Sequence, residues 1–188
     1  TGVDPDHPDI TVGNWTDEVY GSDDPIAYTN HGTHVSGTIM GGNASGKYIG
    51  VAPNATLLHG AVLGPRGSGS FADIIDGIQW AVDNNADVLT MSFAVEDKED
   101  AFISPIQNAR DAGTIPVAAV GNYKSGSSGS PANVYETVAV GAANKSGGIA
   151  SFSGGETINI ENDWSNSPDD WPDSYVVPDL VAPGVNTY

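Results

Sequence analysis

The sequence contains no cysteine and no long apolar run. In a chain of 188 residues, the absence of Cys excludes disulfide bonds and metal sites built from thiolates. No stretch is apolar over the length that a bilayer-spanning helix needs, so no membrane span is predicted. No signal peptide is recognisable, which says nothing about a precursor. The length is sufficient for one domain with a hydrophobic core.

Basic residues are also scarce. Six Lys and Arg residues face 24 Asp and Glu residues, which gives a formal net charge of −18 at pH 7. Such a polyanionic surface argues against nucleic acids and anionic membranes as partners. The apolar content of 39% is ordinary, so we expect a folded domain. The charge predicts a protein adapted to high salt, as in a halophile, because salt screens the repulsion. The alternative is an acidic exported protein without such adaptation.

Apolar strands alternate with helical patterns along the chain. The predicted helices span residues 31–41, 70–84 and 97–112, and the predicted strands span 56–62, 87–93, 115–120, 137–142 and 176–181. Residues 4–24 are predicted to form irregular surface, and residues 125–130 a flexible Gly/Ser loop. The alternation predicts an α/β fold in three layers, with a mostly parallel twisted sheet and helices on both faces.

Several chemically useful residues fall at one edge of this predicted sheet. In parallel sheets, ligands bind beyond the carboxyl ends of the strands. His31, Ser92 and Asn122 lie at or just after that edge, as do the loop after Val62 and the turn at residues 183–184. The sequence therefore predicts a site there.

Residues 30–38, with the sequence NHGTHVSGT, carry the most specific pattern. A single His is usually a polar surface or core residue, but His31 stands at a turn before a slim, small-residue helix. Further motifs occur on both sides of it, in this order along the chain: TGVD at 1–4, HPD at 7–9, GVAP at 50–53, MS at 91–92, GN at 121–122, ASFS at 150–153 and APG at 182–184. With these motifs the chain resembles the subtilisin-like serine peptidases, or subtilases, over nearly its whole length.

The resemblance implies a serine endopeptidase that hydrolyses peptide bonds through an acyl-enzyme made by an Asp-His-Ser triad. His31 corresponds to the general base. Asn122 corresponds to the side chain that donates a hydrogen bond in the oxyanion hole. His34, one helical turn after His31, is expected to be structural. No cofactor is required for this chemistry.

Polypeptide substrates are implied by three segments that resemble the family's substrate-binding walls. One wall strand is Gly67, Ser68 and Gly69, and the opposite strand is Ser92, Phe93 and Ala94. The back of the specificity pocket is expected at Ala119, Val120 and Gly121. Ala94 and Val95 replace two glycines of the family pattern, which should narrow the pocket along that wall.

Two parts of the triad have no counterpart within these residues. In the family, the orienting Asp directly precedes Thr-Gly, and the chain opens at Thr1-Gly2. The family's nucleophile lies in a Gly-Thr-Ser-Met-Ala segment after Ala-Pro-Gly, and no such segment occurs before Tyr188. We expect residues 1–188 to be an incomplete catalytic domain, truncated at both ends and inactive alone. Exposed core at the truncated ends should favour self-association.

Two other interpretations stay open at this point. The first is a non-catalytic pseudopeptidase or peptide-binding module of the same fold. The second is a metallohydrolase that uses His31 and His34, although the Glu of an H-E-x-x-H site is missing.

Structural calcium and an extracellular or cell-surface location are further expectations from the resemblance. Asp9 matches a family calcium ligand, and residues 43–48 occupy the loop that supplies the other ligands. In this loop, Ala44 stands where the family has an amide oxygen, and Lys47 adds a positive charge. Residues 154–177 form an acidic insertion, which is expected to be a solvated loop with some capacity for calcium.

Overall fold

The structure, a computed structural model, describes residues 1–44 and 46–187. It divides into two compact units, residues 1–86 and residues 87–188. None of the described helices is long and apolar enough to cross a bilayer. The two units are taken in turn.

The first unit contains two parallel strands and two helices. Strand β1 (Val12–Asp17) pairs with β2 (Leu57–Ala61), and the helices are α1 (Asn30–Met40) and α2 (Phe71–Asp83). One cluster of buried side chains in its core comprises Val3, Ile10, Met40 and Leu57. The predictions for α1, β2 and α2 are confirmed. The prediction of irregular structure throughout residues 4–24 is wrong, because β1 lies within it.

Helix α2 begins with a capping box. The Ser70 hydroxyl accepts a hydrogen bond from the Asp73 backbone N–H at 3.1 Å, and the Asp73 carboxylate accepts one from the Ser70 N–H at 2.9 Å. This reciprocal pair satisfies two N–H groups that the first helical turn leaves open. Ile74 and Ile78 of this helix are buried, whereas Phe71 is 42% exposed.

The second unit contains a four-stranded parallel sheet. Its strands are β3 (Val88–Met91), β5 (Ile115–Ala119), β7 (Val138–Ala143) and β10 (Leu180–Pro183), and their order is β10-β7-β5-β3. Two short antiparallel pairs accompany it, β4 (Val95–Glu96) with β6 (Gly129–Ser130), and β8 (Glu156–Asn159) with β9 (Ser174–Val177).

Strand β3 is partly exposed although most of its residues are apolar. It is the end strand of its sheet, and Val88 is 53% exposed. The predicted final strand at 176–181 is divided into β9 and β10, with Pro178 between them. Proline cannot donate a hydrogen bond to a sheet, which explains the interruption.

Helix α3 (Ile103–Asp111) starts later than predicted. A 3₁₀ turn (Asp100–Phe102) precedes it, so Pro105 lies in the first turn of the α-helix, where its missing N–H has no cost. Ile103, Ile106 and Ala109 of this helix are buried.

The insertion at 154–177 is not a solvated loop. It contains β8, β9 and the short helix α4 (Ile160–Asp163), and it buries Ile158, Trp164 and Trp171. The Trp171 indole N–H donates to the Glu136 carboxylate at 2.8 Å. The acidic composition predicts a solvated loop, but buried aromatic residues between the carboxylates determine its packing.

Candidate active site

His31 lies in the first turn of α1. Its backbone N–H donates to the hydroxyl of Thr29, the N-cap residue, at 3.2 Å. Gly32, Ser36, Gly37 and Met40 are the buried residues of this helix, so α1 packs along its small-residue face. His31 is one of the exposed residues of this helix. The helix thus presents His31 at its amino end while its other face is fixed in the core.

The imidazole of His31 lies against the first residues of the chain. Its Nδ1 atom is 3.3 Å from the hydroxyl oxygen of Thr1. Partial desolvation lowers the pKa of His31, and the positive amino terminus and His34 act in the same direction. A neutral imidazole can accept a proton, which is what a general base requires.

Gly32 allows this close approach. A methyl group at this position would lie 1.9 Å from the carbonyl oxygen of Gly2. The glycine after His31 is therefore required by the packing of the backbone at residues 1–2 against α1.

The loop at Gly67, Ser68 and Gly69 lies between β2 and α2 and is exposed. A turn holds it in place, because Gly64 donates its N–H to the Ser68 carbonyl at 2.9 Å and Gly67 donates to Gly64 at 2.9 Å. Solvent can reach this backbone, as an edge that pairs with a polypeptide requires.

The carboxylate of Asp9, the predicted calcium ligand, is bonded to a backbone amide. One oxygen of this carboxylate accepts a hydrogen bond from the Ala44 N–H at 2.5 Å. Calcium needs six or more oxygen ligands. Within residues 1–44 and 46–187, no three His, Cys, Asp or Glu residues cluster as metal ligands. Ser45, in the predicted calcium loop, lies outside the described residues. The same finding leaves the metallohydrolase interpretation of His31 and His34 without a third protein ligand of these types in the described chain.

In the second unit, the predicted wall segments leave neighbouring strands. Residues 92–94 follow β3 and residues 120–122 follow β5, and these strands are parallel, with Met91 opposite Ala118. Val120 is buried, and its carbonyl accepts a hydrogen bond from the Gly129 N–H at 3.0 Å. The structure therefore brings the two predicted segments of this unit to the same edge of the sheet, with Gly129 beside them.

Asn122 is exposed directly after this edge. Gly121 precedes Asn122 and has a φ of +97°, a conformation that favours glycine. The carbonyl of Gly121 accepts a hydrogen bond from the Gly154 N–H at 2.9 Å. This turn fixes the backbone that carries Asn122. A carboxamide N–H in such a position can donate to a developing negative charge.

Tyr123 is a site residue that the sequence did not reveal. Its hydroxyl donates a hydrogen bond to the carbonyl oxygen of Ala94 at 2.9 Å, which links the two wall segments. Burial raises the pKa of Tyr123, as does the negative charge of Glu96, so the phenol keeps its proton. A tyrosine after Gly-Asn has no sequence signature that separates it from a surface residue.

The serines after Tyr123 also differ from the prediction. Ser128 and Ser130 are buried rather than part of a flexible loop. Ser130 donates to the Asn133 carboxamide oxygen at 2.6 Å, and Ser128 donates to the Glu156 carboxylate at 2.6 Å. The Lys98 ammonium also donates to the Glu156 carboxylate at 2.8 Å and forms an ion pair with it. These bonds explain why small polar residues occur in this segment.

Comparisons with known proteins identify relatives. The model of the subtilase family, peptidase family S8, matches residues 1–188. Subtilisin E of Bacillus subtilis (strain 168) is 41% identical over 160 residues, which cover 81% of this chain and 42% of that protein. The major intracellular serine protease of the same strain is 37% identical over 165 residues, which cover 81% of this chain and 52% of that protein. The chain thus spans about half the length of the curated relatives it matches.

Solved structures of the same kind match the fold. A cold-adapted subtilisin-like serine proteinase superposes with a TM-score of 0.75 and 29% identity, covering 98% of this chain and 60% of that chain. A structure titled S41 Psychrophilic Protease matches with a TM-score of 0.73 and 32% identity, covering 82% of this chain and 56% of that chain. The predicted α/β fold class, with a mostly parallel sheet and helices, is confirmed.

Proposed function

Because the chain belongs to the subtilase family, we propose that it supplies the general base and the oxyanion donor of a serine endopeptidase. His31 is the base and Asn122 is the donor. The observation that carries this proposal is the position of the His31 imidazole at the amino end of α1, with its Nδ1 atom 3.3 Å from the Thr1 hydroxyl oxygen, inside the family's most specific motif. The substrates are polypeptides.

In this mechanism the imidazole takes the proton of a serine hydroxyl as that oxygen attacks the peptide carbonyl. The Nδ1 atom of His31 faces Thr1, so we assign the transfer to Nε2. The same nitrogen then gives the proton to the leaving amine. Water repeats the cycle and releases the acyl group from the serine.

Asn122 stabilises the oxyanion that forms on the carbonyl oxygen. Its exposed carboxamide follows a backbone turn that hydrogen bonds hold on both sides, which limits the reorganisation needed during the reaction. The exposed backbone of Gly67, Ser68 and Gly69 and the segment Ser92, Phe93 and Ala94 are proposed to pair with the extended substrate. Ala119, Val120 and Gly121 form the back of the specificity pocket.

No residue within 1–188 is assigned as the nucleophile or as the carboxylate that orients His31. We therefore propose that these residues alone do not hydrolyse peptides. The second candidate is a non-catalytic pseudopeptidase or peptide-binding module of the same fold. Activity outside the cell and adaptation to high salt stay predictions. The relatives do not decide the location, since one of them is named as intracellular.

The test uses the product of the complete gene beside a protein of residues 1–188. We expect the complete product to hydrolyse casein and to be labelled by a serine-directed phosphonate, in low salt or in high salt. Residues 1–188 should do neither. A folded complete product that shows no turnover and no labelling in any salt would favour the pseudopeptidase. Hydrolysis that a chelator stops and a serine reagent does not would favour a metallohydrolase.

A further inference from the structure

The ring of Tyr123 occupies the space between two glycines of the second unit. A methyl group placed on Gly121 would lie 2.6 Å from the ring atoms Cδ2 and Cε2 of Tyr123. A methyl group placed on Gly129 would lie 2.9 Å from the same Cε2 atom. Glycines on both sides of a slot would ordinarily leave room for a large side chain. Here an aromatic edge fills that room.

Two further contacts hold this arrangement. The Tyr123 hydroxyl donates to the Ala94 carbonyl at 2.9 Å, so the ring is fixed at its outer end. The methyl group of Ala94 would be 2.9 Å from a methyl group on Gly129, which narrows the space from the opposite wall. Strands β4 and β6 keep these walls together, with Glu96 opposite Gly129.

We infer that Tyr123 determines specificity by filling the pocket that receives the side chain before the scissile bond, so that only small side chains such as Ala, Ser or Gly enter. This inference rests on the proposed function, which makes residues 92–94 and 119–121 the walls of that pocket. The hydrogen bond to Ala94 positions the ring, and the ring's volume excludes large side chains.

Cleavage of matched peptides tests the inference. The complete gene product is given two peptide p-nitroanilides that differ only in Ala or Phe before the anilide, and kcat/KM is measured for each. We expect the wild-type protein to favour Ala. The Tyr123→Ala variant should shift the Phe/Ala ratio toward Phe by about 10- to 100-fold, because a hydrophobic pocket discriminates by this order when its volume changes.

Three other variants separate pocket volume from general effects. Tyr123→Phe keeps the ring and should keep the preference for Ala. Ala94→Gly should also shift the ratio toward Phe, but by less than Tyr123→Ala does. If Tyr123→Ala does not fold, Ala94→Gly still tests the inference. Tyr48→Ala, a change at a 66% exposed tyrosine, should leave the ratio unchanged. A wild-type preference for Phe, or a ratio that stays within about threefold in both Tyr123→Ala and Ala94→Gly, would overturn the inference while the endopeptidase stands.

If no peptide is hydrolysed, the proposed function fails, and peptide binding then tests the role of Tyr123 by itself. Calorimetry then compares peptides that end in Ala with peptides that end in Phe on the wild-type protein and on Tyr123→Ala. Tighter binding of the Ala peptide, reversed in the variant, supports the pocket assignment without turnover. Equal binding of both peptides to both proteins overturns it.

Discussion

The Nδ1 atom of His59 lies 3.0 Å from the hydroxyl oxygen of Ser36, which joins β2 to α1 in the first unit. The ring of His59 also stacks on Trp15 of β1, with centroids 5.8 Å apart. Its Nε2 atom is buried and has no hydrogen-bond partner among the described residues. Burial, together with the positive amino terminus, lowers the pKa of His59 to about 4.

This environment predicts a loss of stability in acid. An unfolded His has a pKa of about 6.5, so between about pH 6.5 and the folded pKa of about 4 the unfolded state binds a proton that the folded state does not. The free energy of unfolding should therefore fall as the pH falls through this window, by about 3 kcal/mol in all. Urea unfolding of the wild type and of His59→Ala at several pH values from 4 to 7 checks this. The free energy of unfolding should change less steeply with pH in the variant. Equal slopes would contradict it.

A second prediction concerns the buried carboxylate of Asp17. Burial acts to raise its pKa, but hydrogen bonds from the Tyr28 hydroxyl and from the backbone of Ser22, Tyr20 and Val19 outweigh this, so the net pKa is lowered. Tyr28→Phe removes the hydroxyl donor at 2.5 Å and should cost about 1.5–3 kcal/mol of unfolding free energy at pH 7. Tyr48→Phe, at an exposed ring, is the control and should change stability by less than about 0.5 kcal/mol. Equal effects of the two changes would argue against the prediction.

Two glycines of α1 provide a matched pair. Gly32→Ala places a methyl group 1.9 Å from the Gly2 carbonyl oxygen, so we expect a loss of about 2 kcal/mol or more. At Gly37 the nearest heavy atoms are the Ile10 and Ile49 methyl groups at 3.8 Å, an ordinary contact. Gly37→Ala should be neutral or stabilise by up to about 1 kcal/mol through helix propensity. Thermal unfolding compares the two, and a reversed order would contradict the described packing.

Asn122→Ala tests the oxyanion donor in the complete gene product. We expect kcat to fall by about 10²- to 10³-fold, the range known for this kind of donor in a subtilisin, while KM stays within about threefold. The loss falls on kcat because the hydrogen bond is made in the transition state. Asn108→Ala, at an exposed position of α3, is the control. A rise in KM with an unchanged kcat would assign Asn122 to substrate binding instead.

Much of the fold could be predicted because its signals are local. The capping box at Ser70 and Asp73 and the periodic Ile74 and Ile78 specify α2 without reference to the rest of the chain. Strand β1 escaped prediction because Gly13 and Asn14 favour turns, and only its pairing with β2 makes it a strand.

The site divides in the same way. His31 and Asn122 stand in motifs and could be assigned from the sequence. Tyr123 acquires its importance through a contact with Ala94, 29 positions away in the chain. Similarly, the buried pair of His59 and Ser36 depends on how α1 packs on β2. Such long-range contacts leave no pattern in a single sequence, and neither does the packing of Trp164 and Trp171.

Hydrolysis of a peptide p-nitroanilide by the complete gene product, with His31→Ala and His34→Ala beside the wild type, tests the assigned base most directly. His31→Ala should lower kcat at pH 8 by at least about 10³-fold, because a base that accepts the nucleophile's proton is removed, while His34→Ala should retain activity within about threefold. Full activity in His31→Ala, with a loss in His34→Ala, would contradict the assignment.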